Sequence, residues 1–285
     1  MAYETLLVSQ DGPVAHIRLN RPDKRNSLTP AFWREFPDAI AELDAPGTVR
    51  ALILSGEGPS FCAGMDLSVF ASGLSFRMDS ARARSAMIET GRALLRGVAA
   101  LEAARFPTIA VVHGACLGAG LEIAAACDLR FVTADAQLRI EEINIGLMAD
   151  LGALQRVPRL MPQAIARELA YTGATLTGAR AAEIGFANAA LPDVGAAMAR
   201  AQEAAQAIAM RSPLAVRASK DALNYARDHA IADALDRAMV MNGAVMDPGE
   251  MAESMAARSE RRSPHYADLP PLPGPGGLAT ARKSG

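Results

Sequence analysis

Three carboxylates stand among apolar neighbours in the middle of this chain: Glu122 in Leu121-Glu-Ile-Ala124, Glu142 after Glu141 in Ile140-Glu-Glu-Ile143, and Asp150 in Met148-Ala-Asp-Leu-Gly152. A carboxylate in such surroundings is costly unless it is paired or used. Held in a dry pocket with shifted pKa values, such acids can take a proton at one carbon and return one at another. Two glycine-bearing segments accompany them, Pro59-Ser-Phe-Cys-Ala-Gly-Met-Asp66 and His113-Gly-Ala-Cys-Leu-Gly-Ala-Gly-Leu-Glu122. Glycine lets the backbone approach a ligand, and a helix beginning near Ala119–Leu121 leaves N–H groups free. One N–H from each segment could grip a carbonyl oxygen as negative charge develops on it. Each segment alone also reads as an ordinary tight turn. Glu141 is expected at the solvated surface, because adjacent residues of an extended chain point to opposite sides.

Other chemistries find no support. Ile123 stands where a GxGxxG motif counted from Gly118 needs its last glycine, and no GKS or GKT follows as a phosphate loop requires. There is no GxSxG elbow, and the four histidines (His16, His113, His229, His265) are dispersed, with His113 read as a packed core residue. Cys62, Cys116 and Cys127 form no CxxC pair, which argues against a disulfide framework or zinc site and for a reduced, cytoplasmic setting. In 285 residues, 29 Lys+Arg against 31 Asp+Glu leave a net charge of −2, which disfavours a nucleic-acid binder. No apolar run approaches membrane-spanning length, and the N-terminus lacks the charged start and apolar core of a signal peptide.

The elements that must position these residues are legible from periodicity. Thr5–Gln10 and Val14–Asn20 alternate around turn residues and predict a hairpin. The charged loop Arg21–Asn26 leads to Thr29-Pro30, where threonine can cap a helix running to about Asp44 and bent or split by Pro37. Arg50–Ser55 and Thr108–Val112 read as buried strands joined by a helix within Ser80–Arg105, followed by helix Leu121–Cys127, strand Leu129–Thr133 and helix Leu151–Met161. From Pro162 to Arg262 the chain reads as helices, with an apolar face at Leu235, Met239, Met241 and Val245. The last stretch, from Ser263, holds five prolines and four glycines and reads as a mobile tail. Val69–Ser80 is expected to close over a substrate and to line part of its pocket.

Taken together, HIRLNRPDKRNSL (16–28), FCAGMDL (61–67), HGACLGAGLEIAAACDLR (113–130), EEINIGLMADLGALQRVPRLM (141–161) and AYTGATLTGARAAEIGFAN (170–188) resemble the enoyl-CoA hydratase/isomerase superfamily, the crotonases, over about residues 5–262. The resemblance implies an α/β fold, a crotonase-like spiral of repeated ββα units with a C-terminal helical trimerisation region. Its divisions would be a core over 1–195, oligomerisation helices over 196–262 and the tail over 263–285. It implies an acyl-CoA thioester as substrate, no cofactor beyond the coenzyme A that the substrate carries, no metal, no nucleic-acid or membrane partner, and a homotrimer or dimer of trimers.

Carried onto this chain, the oxyanion hole of the family falls on the N–H groups of Met65 and Ala119. Ala119 replaces the usual glycine, and alanine tolerates the negative φ of a helix start. Lys24 and Arg25 match the coenzyme A phosphate contacts, and Ala63, Asp66 and Leu67 match the adenine and pantetheine path. Glu122 and Glu142 match the two glutamates that activate water in hydratases. The stretch from Glu141 is most similar to Δ3,5-Δ2,4-dienoyl-CoA isomerases, which have a further aspartate eight residues after the second acid, as Asp150 follows Glu142. That subfamily usually has aspartate at the position of Glu122, so hydration of trans-2-enoyl-CoA is the alternative. A catalytically silent acyl-CoA binder or an RNA-associated member is the alternative of another class.

Overall fold

Alternating side chains on either side of Gly12-Pro13 fold into the expected antiparallel hairpin, β1 (Leu6–Asp11) and β2 (Val14–Leu19), with Leu6 opposite Leu19. They open a computed structural model that describes residues 3–71 and 79–273. In α1 (Pro30–Asp44), Thr29 holds the cap position, but its buried hydroxyl bonds to nothing, so the proline in the first turn is the start signal that operates. Pro37 does not split this helix. An interior proline costs about 3 kcal/mol, and the buried face of Phe32, Trp33, Phe36 and Ile40 offsets it.

The next elements are β3 (Ala51–Gly56), α2 (Leu67–Ala71) and α3 (Ala81–Ala103), which Ser80 caps through its hydroxyl. They are followed by β4 (Thr108–Val112), β5 (Ala115–Leu117), α4 (Ala119–Ala126), β6 (Leu129–Thr133) and β7 (Gln137–Arg139). Then come α5 (Ala153–Leu160), α6 (Gln163–Thr172), β8 (Leu176–Thr177), α7 (Gly178–Glu183) and β9 (Ala189–Leu191). Helices α8 (Val194–Ala209), α9 (Pro213–Asp228), α10 (Ile231–Val245) and α11 (Pro248–Glu260) complete the order. None of the described helices is long and apolar enough to cross a membrane.

Among the described residues two sheets result, β1-β2-β3-β4-β6-β9 and β5-β7-β8. The units β4-β5-α4 and β6-β7-α5 repeat one plan, with the first strand in the large sheet and the second in the small one. This is the expected spiral. Within the large sheet every pairing after the hairpin is parallel. Strands β3 and β4 are buried on both faces. Leu52, Leu54, Ala110 and Val112 join the main core with the α1 face, whereas Ala51, Ile53, Ile109 and Val111 meet Ala197, Ala201 and Ala205 of α8.

The structure differs from the expected organisation in three places. β8 and β9 interrupt the region read as helical, since strands of two and three residues are too short to show alternation. Helix α8 straddles the expected division at 195/196, because its alanine face lets it pack closely on the sheet. The tail is docked as far as it is described. Leu269 N–H donates to Gly47 O (3.2 Å), Leu272 N–H to Ala45 O (2.8 Å), and Arg50 meets Asp268 (2.7 Å). Proline-rich composition shows that a segment builds no core of its own, but not that a neighbouring groove will accept it. Most of Val69–Ser80, like the end of the tail, lies outside the described residues.

Candidate active site

The segment Phe61–Met65 runs between two others that fix it through the backbone. Ala63 N–H donates to Arg25 O (2.9 Å), Leu28 N–H to Gly64 O (2.8 Å) and Asp66 N–H to Leu28 O (2.9 Å). On its other side Cys62 N–H donates to Ala115 O (2.9 Å), and Cys62 O accepts from Leu117 N–H (3.0 Å). In this parallel pairing Leu28 bonds to the residues flanking Met65, which turns the N–H of Met65 itself away from that ladder. Ala119 opens α4 after Gly118, whose φ of 50° is the left-handed geometry that favours glycine, so its N–H has no carbonyl one turn back. A Cβ on Gly64 would lie 2.9 Å from Leu117 O and 3.8 Å from the Ala119 nitrogen. The two glycine segments therefore touch where the two N–H donors emerge, and neither donor takes a backbone acceptor among the described residues.

The carboxylates gather around this point. Glu122, 1% exposed, sits on a helix buried all round. Its Oε1 accepts the N–H groups of Leu151 (3.0 Å) and Ala153 (3.1 Å), while its Oε2 is buried without a partner. Glu142 begins a 3-10 turn, and a Cβ on Gly118 would lie 2.8 Å from its Oε1, so its carboxylate rests against the residue before Ala119. Its Oε2 is also buried and unpartnered. Asp150 lies exposed at the rim, in the turn that supplies Leu151.

Their ionisation is coupled. Burial pushes Glu122 up to about 8, with the charges of Glu142 and Asp150 adding and the two N–H bonds opposing. Burial raises Glu142 as well, assisted by Asp150 and Glu141, and burial raises Asp150. Glu141, half-buried beside Glu142 rather than at the open surface, pairs with Arg139 (3.1 Å); its backbone is helical rather than extended, so the two glutamates are not forced to opposite sides. His113 is buried, with Nε2 against Gly58 O (2.9 Å).

Lys24 and Arg25 are exposed on a loop made rigid by buried Asn26, whose Nδ2 donates to Glu57 O (2.9 Å) and Ser60 O (2.8 Å). The Arg25–Ala63 bond joins that loop to the segment leading to Met65. The carboxylate of Asp66 is taken up by Ser68, Arg21 and Ser27, which hold it well below the usual carboxylate range, so what it can offer a ligand is backbone and surface. Leu67 is 71% exposed. The sequence reading missed the N–H groups of Leu151 and Ala153 as the partners of Glu122, for which Gly152 before a new helix was the available signal.

A family model described as enoyl-CoA hydratase/isomerase matches residues 9–269. The peroxisomal Delta(3,5)-Delta(2,4)-dienoyl-CoA isomerase of Arabidopsis thaliana is 34% identical, over 94% of this chain and 99% of that protein. The mitochondrial protein of the same name from Homo sapiens is 33% identical, over 92% and 81%. Among solved structures, an enoyl-CoA hydratase from Mycobacterium tuberculosis H37Rv superposes with a TM-score of 0.80 at 32% identity, covering 93% of this chain and 99% of that one. With sequence, spiral and nearly full-length matches in agreement, the chain belongs to the enoyl-CoA hydratase/isomerase family.

Proposed function

We propose that this protein is a Δ3,5-Δ2,4-dienoyl-CoA isomerase. The observation that carries the reading is the gathering of three carboxylates, Glu122, Glu142 and Asp150, beside two N–H donors without backbone acceptors. Moving a proton from C2 to C6 calls for acids spread along the acyl chain. In this reading the thioester oxygen accepts from Met65 and Ala119, which stabilise the enolate as it forms. Glu142, lodged one residue from the second donor, removes a proton from C2. The electron pair spreads along the conjugated chain to C6, where Asp150 delivers a proton, and the double bonds move from 3,5 to 2,4. One proton leaves and one enters, so no redox partner or added cofactor is needed. The names of the isomerase relatives support the same conclusion.

Hydration of trans-2-enoyl-CoA is the second reading. It rests on the unpartnered Oε2 atoms of Glu122 and Glu142, which two glutamates holding a water would also present. Side-by-side assays of the purified protein with a 3,5-dienoyl-CoA and a trans-2-enoyl-CoA separate the two. Rapid gain of the 2,4-diene absorbance with slow hydration supports the isomerase, rapid loss of the enoyl absorbance alone supports the hydratase, and binding without either reaction leaves a silent acyl-CoA binder.

The proposal extends to coenzyme A, held by Lys24 and Arg25 with Ala63, Asp66 and Leu67 along its path, and to a homotrimer or dimer of trimers. Helix α10 supports the assembly, because none of its residues is buried and Leu235 and Met239 are 62% and 76% exposed. A cytoplasmic setting is part of the proposal, and cell fractionation tests it against the peroxisomal and mitochondrial settings named for the relatives.

A further inference from the structure

We infer that Arg156, clamped by Glu102, is a positioning residue that holds the Asp150–Ala153 turn in the shape that places Asp150 and the carboxylate of Glu122. The inference rests on the proposed function for the work those acids do, but not for the geometry. Arg156 lies on α5 and reaches back over its first turn. Its Nη1 donates to Leu151 O (3.2 Å), and a Cβ on Gly152 would lie 1.7 Å from that same Nη1. Gly152 has a φ of 119°, the left-handed region that favours glycine, and any Cβ there would displace the guanidinium above it.

The guanidinium is itself fixed. Nε and Nη2 form a two-point pair with Glu102 of α3 (3.1 and 2.6 Å), both side chains are 16% exposed, and Arg227 of α9 closes on the same carboxylate. Burial pushes Glu102 upward, but the two arginines outweigh it and keep the carboxylate charged. Thus one face of the turn is pinned by a cation anchored on two other helices. The other face presents the N–H groups of Leu151 and Ala153 to Glu122. A partner that orients a working group can matter almost as much as the group itself, since a displacement of about 1 Å can cost 100-fold in rate.

Arg156→Lys keeps the charge but replaces the planar fork that meets both Glu102 oxygens with a shorter, single-nitrogen head. Glu102→Gln keeps the shape and removes the anchor. Two readouts are taken on each variant: kcat and KM for 3,5-dienoyl-CoA, and the titration of Glu122 followed by the infrared band of its protonated carboxyl group. With the turn loosened, kcat falls on the order of 10- to 100-fold with KM little changed, and the Glu122 midpoint rises because its anion loses N–H bonds. A folded variant with wild-type kcat and an unchanged midpoint overturns the inference, even if its Tm is lower. If the wild-type protein does not isomerise the diene, the proposed function fails while the infrared titration still decides the positioning role.

Discussion

Replacing Glu122 with glutamine is expected to stabilise the folded protein at neutral pH. The side chain is 1% exposed, and its pKa stands at about 8 against an ordinary 4.5. Because the folded value is the higher one, the folded state binds more protons between these limits. Stability therefore falls as pH rises through 4.5 and levels off above about 8. At about 1.4 kcal/mol per unit, the cost is on the order of 3 kcal/mol at pH 7 and on the order of 5 kcal/mol when ionisation is complete. Glutamine has the same shape, its carbonyl oxygen still accepts the Leu151 and Ala153 N–H groups, and it carries no charge to bury. Urea denaturation of both proteins from pH 4 to 9 should show curves that converge at the acid end and separate in favour of Glu122→Gln as pH rises. Parallel curves would refute the argument, since they would mean that Glu122 titrates alike in the folded and unfolded chains.

Further outcomes follow from the same geometry. Asp150→Asn should lower diene isomerisation by about 100- to 10,000-fold while sparing any hydration of trans-2-enoyl-CoA, and equal loss of both would remove Asp150 from its proposed role. Gly118→Ala places a methyl group 2.8 Å from Glu142 Oε1 at a φ of 50°, so kcat should fall, and steady-state kinetics at the wild-type level would contradict the site as described. Leu235→Glu with Met239→Glu should shift the mass measured by light scattering from trimer to monomer if α10 forms the assembly surface. Asp44→Ala leaves Arg105 buried and unpaired, which should cost about 3–5 kcal/mol, read as a lower midpoint in urea.

How much was legible in the sequence depended on the range of the interaction. β4 and β6 have the bounds that their apolar runs predict, and the hairpin and long crossover helix come within two residues, because alternation and helical spacing are local. Thr29 and Pro37 show where local rules lose: a favourable cap goes unused and a helix breaker is tolerated, since tertiary packing of α1 outweighs both. The docked part of the tail went unread because its partners, Ala45, Gly47 and Arg50, lie more than 200 residues earlier.

The candidate site divides in the same way. The sequence by itself determined which groups are available: three acids in apolar surroundings, two glycine segments at strand ends, and a pattern shared with one family. Only the tertiary structure decided that Met65 and Ala119 emerge together, that Glu142 lies against Gly118, and that Glu122 is held by a turn which Arg156 pins from behind. The physical reason is that a carboxylate becomes an acid or a base through its distance from other charges, donors and water. Those distances are set by segments that meet only when the spiral closes.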